Sequence, residues 1–160
     1  MPDSTQGPAG APPPHATARA LAHVSLAVPD AEAAARRFGE LLGATVRSRE
    51  TLPERGLYVV FLQVAGVPLE LVQPLDPADP ANPVAKFLEA RGPGLHHLAF
   101  FVDDAASALA HARSRGARLV DESPRPGAGG SSVAFLHPSA ASGVLVELVE
   151  GGARAPDPPG

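Results

Sequence analysis

Apolar and polar residues alternate over residues 23–28. Val24, Leu26 and Val28 fall on one face, and His23, Ser25 and Ala27 on the other, which predicts a strand. The period then changes. Over residues 30–42, Ala33, Ala34, Phe38, Leu41 and Leu42 form the apolar stripe of a helix. Asp30 suits its N-cap, where a carboxylate accepts from free first-turn amides. Gly43 suits the left-handed position that ends it. Three more strands are predicted at 44–50, 57–64 and 67–73, with turns at 53–56 and 65–66. The first half therefore reads β-α-β-β-β.

Residues 76–94 are a linker. Its prolines lead into a short helix capped by Asn82, with Pro83 at the first position, running to about residue 90 and ending near Gly92. The second half then repeats the first. A strand at 96–102 precedes an Ala-rich helix at 104–115, capped by Asp103 or Asp104 and ended by Gly116. Strands follow at 118–121, 132–136 and 143–150, with PRPGAGG (124–130) as a flexible loop between two of them. The repetition is visible in the letters. HVSLAVPD returns as HLAFFVDD, and LELV returns as VELV. His23 and His97 are 74 residues apart, and Glu70 and Glu147 are separated by a few more. One unit has been duplicated with a short insertion. The predicted fold class is α+β. Two tandem βαβββ modules, 19–75 and 95–150, form one curved mixed sheet around a cleft. Residues 1–18 and 151–160 are rich in Pro, Gly and Ala, show no hydrophobic period, and read as disordered tails.

The strand faces single out four residues. On the strand of His23 the large apolar side chains point the other way. The same holds for Leu98, Phe100 and Val102 around His97. Leu69 and Leu71 point away from Glu70, and Val146 and Leu148 away from Glu147. Each half-sheet thus presents one His and one Glu opposite its helix-packing face. Two such halves side by side converge two imidazoles and two carboxylates, a plausible metal-ligand set. His96 faces the helix side by parity and reads as a half-buried, hydrogen-bonded residue. His111 reads as a surface residue and His137 as a turn residue.

Composition narrows the function classes. The chain has 160 residues, 44% of them hydrophobic, a formal net charge of −4 and no cysteine. One domain, or two small subdomains sharing a core, fits that length. The charge argues against a broad nucleic-acid or anionic-membrane surface. Lack of cysteine excludes disulfides and thiolate zinc sites. No apolar run approaches the ~20 residues of a transmembrane helix. The N-terminus lacks the pattern of a signal peptide, so a cytoplasmic protein is expected.

The duplicated unit with paired His and Glu resembles the vicinal oxygen chelate superfamily. The finer resemblance is to the methylmalonyl-CoA epimerase family. The segments that carry it are HVSLAVPD, PERG, LELVQP, NPVAKFLEARGPGLHHLAFFVDD, RPGAGG, FLHP and GVLVELVE, spread over residues 21–150. The resemblance implies an isomerase that inverts C2 of methylmalonyl-CoA by removing and returning a proton, with a divalent ion stabilising the enolate. It implies metal ligation by His23, Glu70, His97 and Glu147, all from one chain. Co²⁺ is the first choice, and Mn²⁺, Ni²⁺ or Zn²⁺ are compatible. Some relatives carry Gln at the position of Glu70. Glu147 is the implied catalytic base, and a homodimer acting on an acyl-CoA is the implied assembly. The sequence departs from the family at two places. Ser139 stands after FLHP where lysine is common, and Val59 stands where one relative has a carboxylate described as a base. The second base is left open, with Glu50 a candidate and Glu54 read as solvated in its turn. Lactoylglutathione lyase shares the fold and donor set, and non-catalytic small-molecule-binding proteins share the fold; both remain alternatives. An extradiol dioxygenase uses three ligands, and a fourth here counts against it.

Overall fold

The computed structural model describes residues 13–153. Eight strands form one mixed sheet: β1 Ala20–Ala27, β2 Thr45–Leu52, β3 Leu57–Val64, β4 Val67–Pro74, β5 Gly94–Phe101, β6 Arg125–Pro126, β7 Ser132–Leu136 and β8 Val146–Glu150. Three α-helices accompany them: α1 Ala31–Leu42, α2 Pro83–Arg91 and α3 Ala105–Ser114. The strand order is β2-β3-β4-β1-β5-β8-β7-β6. In each half the first strand runs parallel to the last, β1 with β4 and β5 with β8. The halves meet where β1 and β5 pair antiparallel at the centre. This is the expected α+β architecture of two βαβββ modules in one sheet.

Local chemistry explains the helix boundaries. The Asp30 carboxylate accepts from the Ala33 amide at 2.9 Å, and Gly43 ends α1 at φ 68°. Asp104, rather than Asp103, caps α3 by accepting from the Ser107 amide at 2.8 Å. Helix α1 buries Ala31 and Ala35 against Val60, Leu62 and Leu71. Helix α3 buries Ala105, Ala108 and Leu109 against Ala134 and Leu148. Both lie on the same side of the sheet. Helix α2 behaves differently. Its Val84 packs with Leu57, Val59, Phe61 and Val72 on the opposite face, so the linker helix closes one end of the cleft.

Three expectations need correction. Residues 118–121 do not form a strand; only Leu119 bridges to Leu136. The Asp121 carboxylate accepts the Phe135 amide at 2.8 Å, taking the donor that a continuing strand would have used. The sixth strand is instead the two-residue β6, paired with β7. The last strand starts at Val146 rather than 143, because Ser142 and Gly143 turn the chain at φ 55° and 90°. The tail boundaries also move. Pro14–Ala16 form a 3₁₀ turn, and Ala16 packs with Val102 and the buried face of α3. Arg19 pairs with Asp103. At the other end the Ala153 amide donates to Gly129 O at 3.0 Å. The rest of both expected tails, residues 1–12 and 154–160, lies outside the described residues. Among the described residues, no helix is long and apolar enough to cross a membrane.

The PRPGAGG segment is pinned rather than free. Gly127 N donates to Ser131 O, Gly129 N donates to Glu50 Oε2, and the Ser131 hydroxyl donates to Ala128 O. Gly127 is required for space. A Cβ there would lie 2.5 Å from Val133 Cγ1 and 2.7 Å from Ser131 Oγ. Val133 is buried and β-branched, so its methyl cannot swing away. Gly127→Ala is expected to cost about 1–3 kcal/mol of stability through overpacking. Urea unfolding measures it, and an unchanged midpoint would show that the loop yields.

Candidate metal centre

The four central strands each carry one expected donor: His23 on β1, Glu70 on β4, His97 on β5 and Glu147 on β8. Register decides how they converge. Ser25 pairs with Glu70 on one side and His97 on the other, while Ala99 pairs with His23 and Glu147. The donors therefore sit in two staggered rows, Glu70–Ser25–His97 and His23–Ala99–Glu147. The middle residue of each row is small and fully buried. A bulkier side chain at either place would enter the space the donors share. Ser25 and Ala99 are equivalent positions of the two repeats.

The donor atoms lie close together. His23 Nε2 is 3.0 Å from Glu70 Oε2 and 3.0 Å from Glu147 Oε2. His97 Nε2 is 3.1 Å from Glu147 Oε2 and 3.2 Å from His23 Nε2. All four residues are buried, and one ligand atom from each lies within 4.8 Å of the others. Two imidazole nitrogens and two carboxylate oxygens are a donor set that fits a divalent transition ion.

The imidazoles are held by aromatic neighbours that the sequence reading passes over. Phe61 on β3 pairs with Glu70, and Phe135 on β7 pairs with Glu147. The Phe61 ring centroid is 6.0 Å from that of His23, and the Phe135 centroid 5.2 Å from that of His97, both edge-on. A signal was present, since Phe61 and Phe135 have the same offset as the two histidines.

His96 is half-buried and hydrogen-bonded as expected, but it faces the cleft, not the α1/α3 side. The β1–β5 pairing slips between Ser25–His97 and Leu26–Leu95, which makes His96 a bulge residue. Parity fails at a bulge, and His96 and His97 point the same way. Their Nδ1 atoms are 2.8 Å apart, so one ring donates and the other accepts. The His96 ring rests edge-on against Phe87 of α2, with centroids 5.0 Å apart. A second slip lies at Ala22, directly before His23. Each donor histidine thus follows a bulge.

Electrostatics follow from this crowding. Burial opposes charge on His23, but Glu70 and Glu147 outweigh it and raise its pKa to about 9. Burial also opposes charge on Glu70 and Glu147. The facing imidazoles nevertheless hold both carboxyls below the usual range. His96 moves the other way, to about 4, through burial and the nearby His97.

Two of the spaces that adjoin the donors bear on the site. An outer cleft of about 430 Å³ is bounded by Glu70, His96, His97, Arg55, Arg125 and Phe135. A smaller inner recess holds His23, Glu70 and Glu147 with Val59, Val133 and Arg55. Val59 is thus beside the donors but carries no ionisable group. Glu50 pairs opposite Val59 across β2 and β3. Its carboxylate is engaged by Gly129 N at 2.9 Å, and it lines neither space. Glu54 is exposed at the rim. Arg125 Nε donates to Asp121 at 3.1 Å, and its guanidinium stacks 5.6 Å over Phe135. His137 accepts from the Ser139 amide in a turn, as expected. His111 is half-buried on α3, outside both spaces.

Residues 22–135 match the model of the Glyoxalase/Bleomycin resistance protein/Dioxygenase superfamily. An ethylmalonyl-CoA/methylmalonyl-CoA epimerase of Cereibacter sphaeroides is 39% identical over 130 residues, covering 80% of this chain and 95% of that one. The crystal structure of methylmalonyl-CoA epimerase from Mycobacterium tuberculosis superposes with a TM-score of 0.76 at 37% identity, covering 87% of this chain and 90% of that chain. A methylmalonyl-CoA epimerase solved with methylmalonyl-CoA and NH4+ gives a TM-score of 0.77 at 30% identity, covering 86% and 98%. The chain therefore belongs to the glyoxalase/bleomycin resistance protein/dioxygenase superfamily and, within it, to the family of the methylmalonyl-CoA epimerases.

Proposed function

We propose that this chain interconverts the R and S epimers of methylmalonyl-CoA at C2, holding one divalent ion with His23, Glu70, His97 and Glu147. The buried cluster of two imidazoles and two carboxylates at the β1–β5 seam, in a chain of this family, carries the reading. The mixed nitrogen and oxygen donors suit Co²⁺, Mn²⁺, Ni²⁺ or Zn²⁺ rather than Mg²⁺, which takes all-oxygen ligation, and the family resemblance puts Co²⁺ first. When bound, the ion supplies positive charge where charge develops on the thioester oxygen as the C2 proton leaves.

The chain's own residues do the rest. Glu147 takes the C2 proton from one face, a second acid gives C2 a proton on the other, and proton exchange with solvent returns both groups to their starting state. The hydrogen bonds that make Glu147 acidic come from the Nε2 atoms of His23 and His97. Nitrogens that serve as ligands would have no proton to give, which would release Glu147 from those two hydrogen bonds. Val59, Val133 and Val149 wall the recess beside Glu147 with apolar surface. His96 fixes the tautomer and tilt of His97 through its Nδ1. A homodimer in the cytoplasm belongs to the same reading, and sedimentation equilibrium reads the assembly directly. The carrying experiment is C2 hydrogen exchange of methylmalonyl-CoA in deuterium oxide. Metal-loaded protein should exchange and epimerise, and stripped protein should not. No exchange with loaded protein, or faster turnover of a glutathione hemithioacetal, would sink the epimerase.

A further inference from the structure

Arg55 is the cleft cation that the reaction above leaves unused. It ends the Pro53–Arg55 turn between β2 and β3. The turn is fixed from below, because the Asn82 side chain donates to Gly56 O at 3.0 Å and to Arg55 O at 3.4 Å. Asn82 is itself buried and caps α2 by accepting from Val84 N at 2.9 Å. The backbone under Arg55 is thus braced by the cleft's own end wall, which limits where its side chain reaches.

That side chain is half-buried and borders both the outer cleft and the inner recess that holds His23, Glu70 and Glu147. It is close enough to His96 to oppose charge there. Arg125, the other arginine of the cleft, is already matched by Asp121. Arg55 has no ion-pair partner among the described residues. Four acids share its surroundings, and none makes an ion pair with it: Glu54 and Asp79 on the outer cleft, Glu147 on the recess and Glu70 on both. Asp79 accepts from the Ala81 amide at 2.8 Å, and Glu70 and Glu147 face the imidazoles. A half-buried guanidinium without an ion-pair partner keeps its donors available to an incoming anion.

The substrate's chemistry identifies that anion. Two carboxylates and a divalent ion bring the donor cluster to neutrality, with both imidazoles uncharged. A malonyl-type thioester then adds a free carboxylate at the acyl end. Its phosphates lie at the far end of the pantetheine arm, away from the recess. We propose that Arg55 binds the free carboxylate of the malonyl-type acyl group and makes this site prefer such thioesters over simple acyl thioesters. The inference rests on the acyl-CoA reading above.

The test is calorimetric binding of malonyl-CoA and propionyl-CoA to metal-loaded protein. Wild type should bind malonyl-CoA more tightly. Arg55→Gln should weaken malonyl-CoA roughly 10- to 100-fold, the reach of one charge-assisted hydrogen-bond pair, and leave propionyl-CoA within about twofold. Arg55→Lys, which keeps charge but loses the planar fork, should recover part of the loss. Thermal melts of both variants should match wild type, since the turn is held through backbone carbonyls. Equal weakening of both ligands would overturn the assignment in favour of a CoA contact. No weakening of either would make Arg55 a solvated side chain. If wild type binds neither thioester, the acyl-CoA reading fails and takes the assignment with it.

Discussion

Glu147→Gln is expected to lose at least ~100-fold in turnover at equal metal occupancy, the low end of what a positioned general base contributes. Glu70→Gln is expected to keep metal and much of the activity. The two residues are repeat equivalents, yet their surroundings differ. Glu147 Oε2 reaches both imidazoles, at 3.0 and 3.1 Å, whereas Glu70 Oε2 lies 3.0 Å from His23 alone. Glu147 borders only the inner recess, and Glu70 also borders the outer cleft. Glutamine preserves an oxygen donor of the same shape and removes the basic carboxylate. The comparison therefore isolates proton transfer from ligation. Turnover and bound metal should be measured side by side for the two variants. Equal losses would mean that Glu147 is only a ligand and that the proton moves by another group.

His23→Ala and His97→Ala should each abolish stoichiometric binding of one divalent ion. Removing either leaves two buried carboxylates facing each other with one imidazole between them, and no nitrogen replaces the lost donor. The loss of affinity should exceed the ~10–100-fold typical of residues that orient a ligand from behind. His96→Leu provides that smaller step, since it removes only the Nδ1 partner of His97. Chelator competition with Co²⁺ ranks all three variants. Wild-type affinity in both alanine variants would show the ion to be held elsewhere.

Much of this was legible because duplication writes the pattern twice. Alternation on β1 and β5 placed His23 and His97 on the cleft face, and Asp30, Gly43 and Asn82 set helix ends through local hydrogen bonds. Non-local effects were less visible. The bulge before His97 depends on how β5 meets β1, so parity along β5 alone put His96 on the wrong face. Residues 118–121 have strand-like composition, but a side chain, Asp121, takes the backbone donor they would need. Phe61 and Phe135 go unremarked in the sequence, because only the register sets them beside the two histidines. Arg55 lies within PERG, but nothing in that segment shows that its guanidinium borders the cleft without an ion-pair partner.

The seam between β1 and β5 has a further consequence. Neither half of the chain owns a complete donor set; each brings one imidazole and one carboxylate. If the halves were identical separate copies, any change to one donor would be made in both, and the centre would stay symmetric. Covalent linkage removes that restriction. The bulge residue is Ala22 in one copy and His96 in the other, and the floor residue is Ser25 in one and Ala99 in the other. One carboxylate touches two imidazoles and its counterpart touches one. A reaction that inverts a carbon must treat its two faces differently at each instant. A tandem chain can give each face its own chemistry while keeping a shared scaffold.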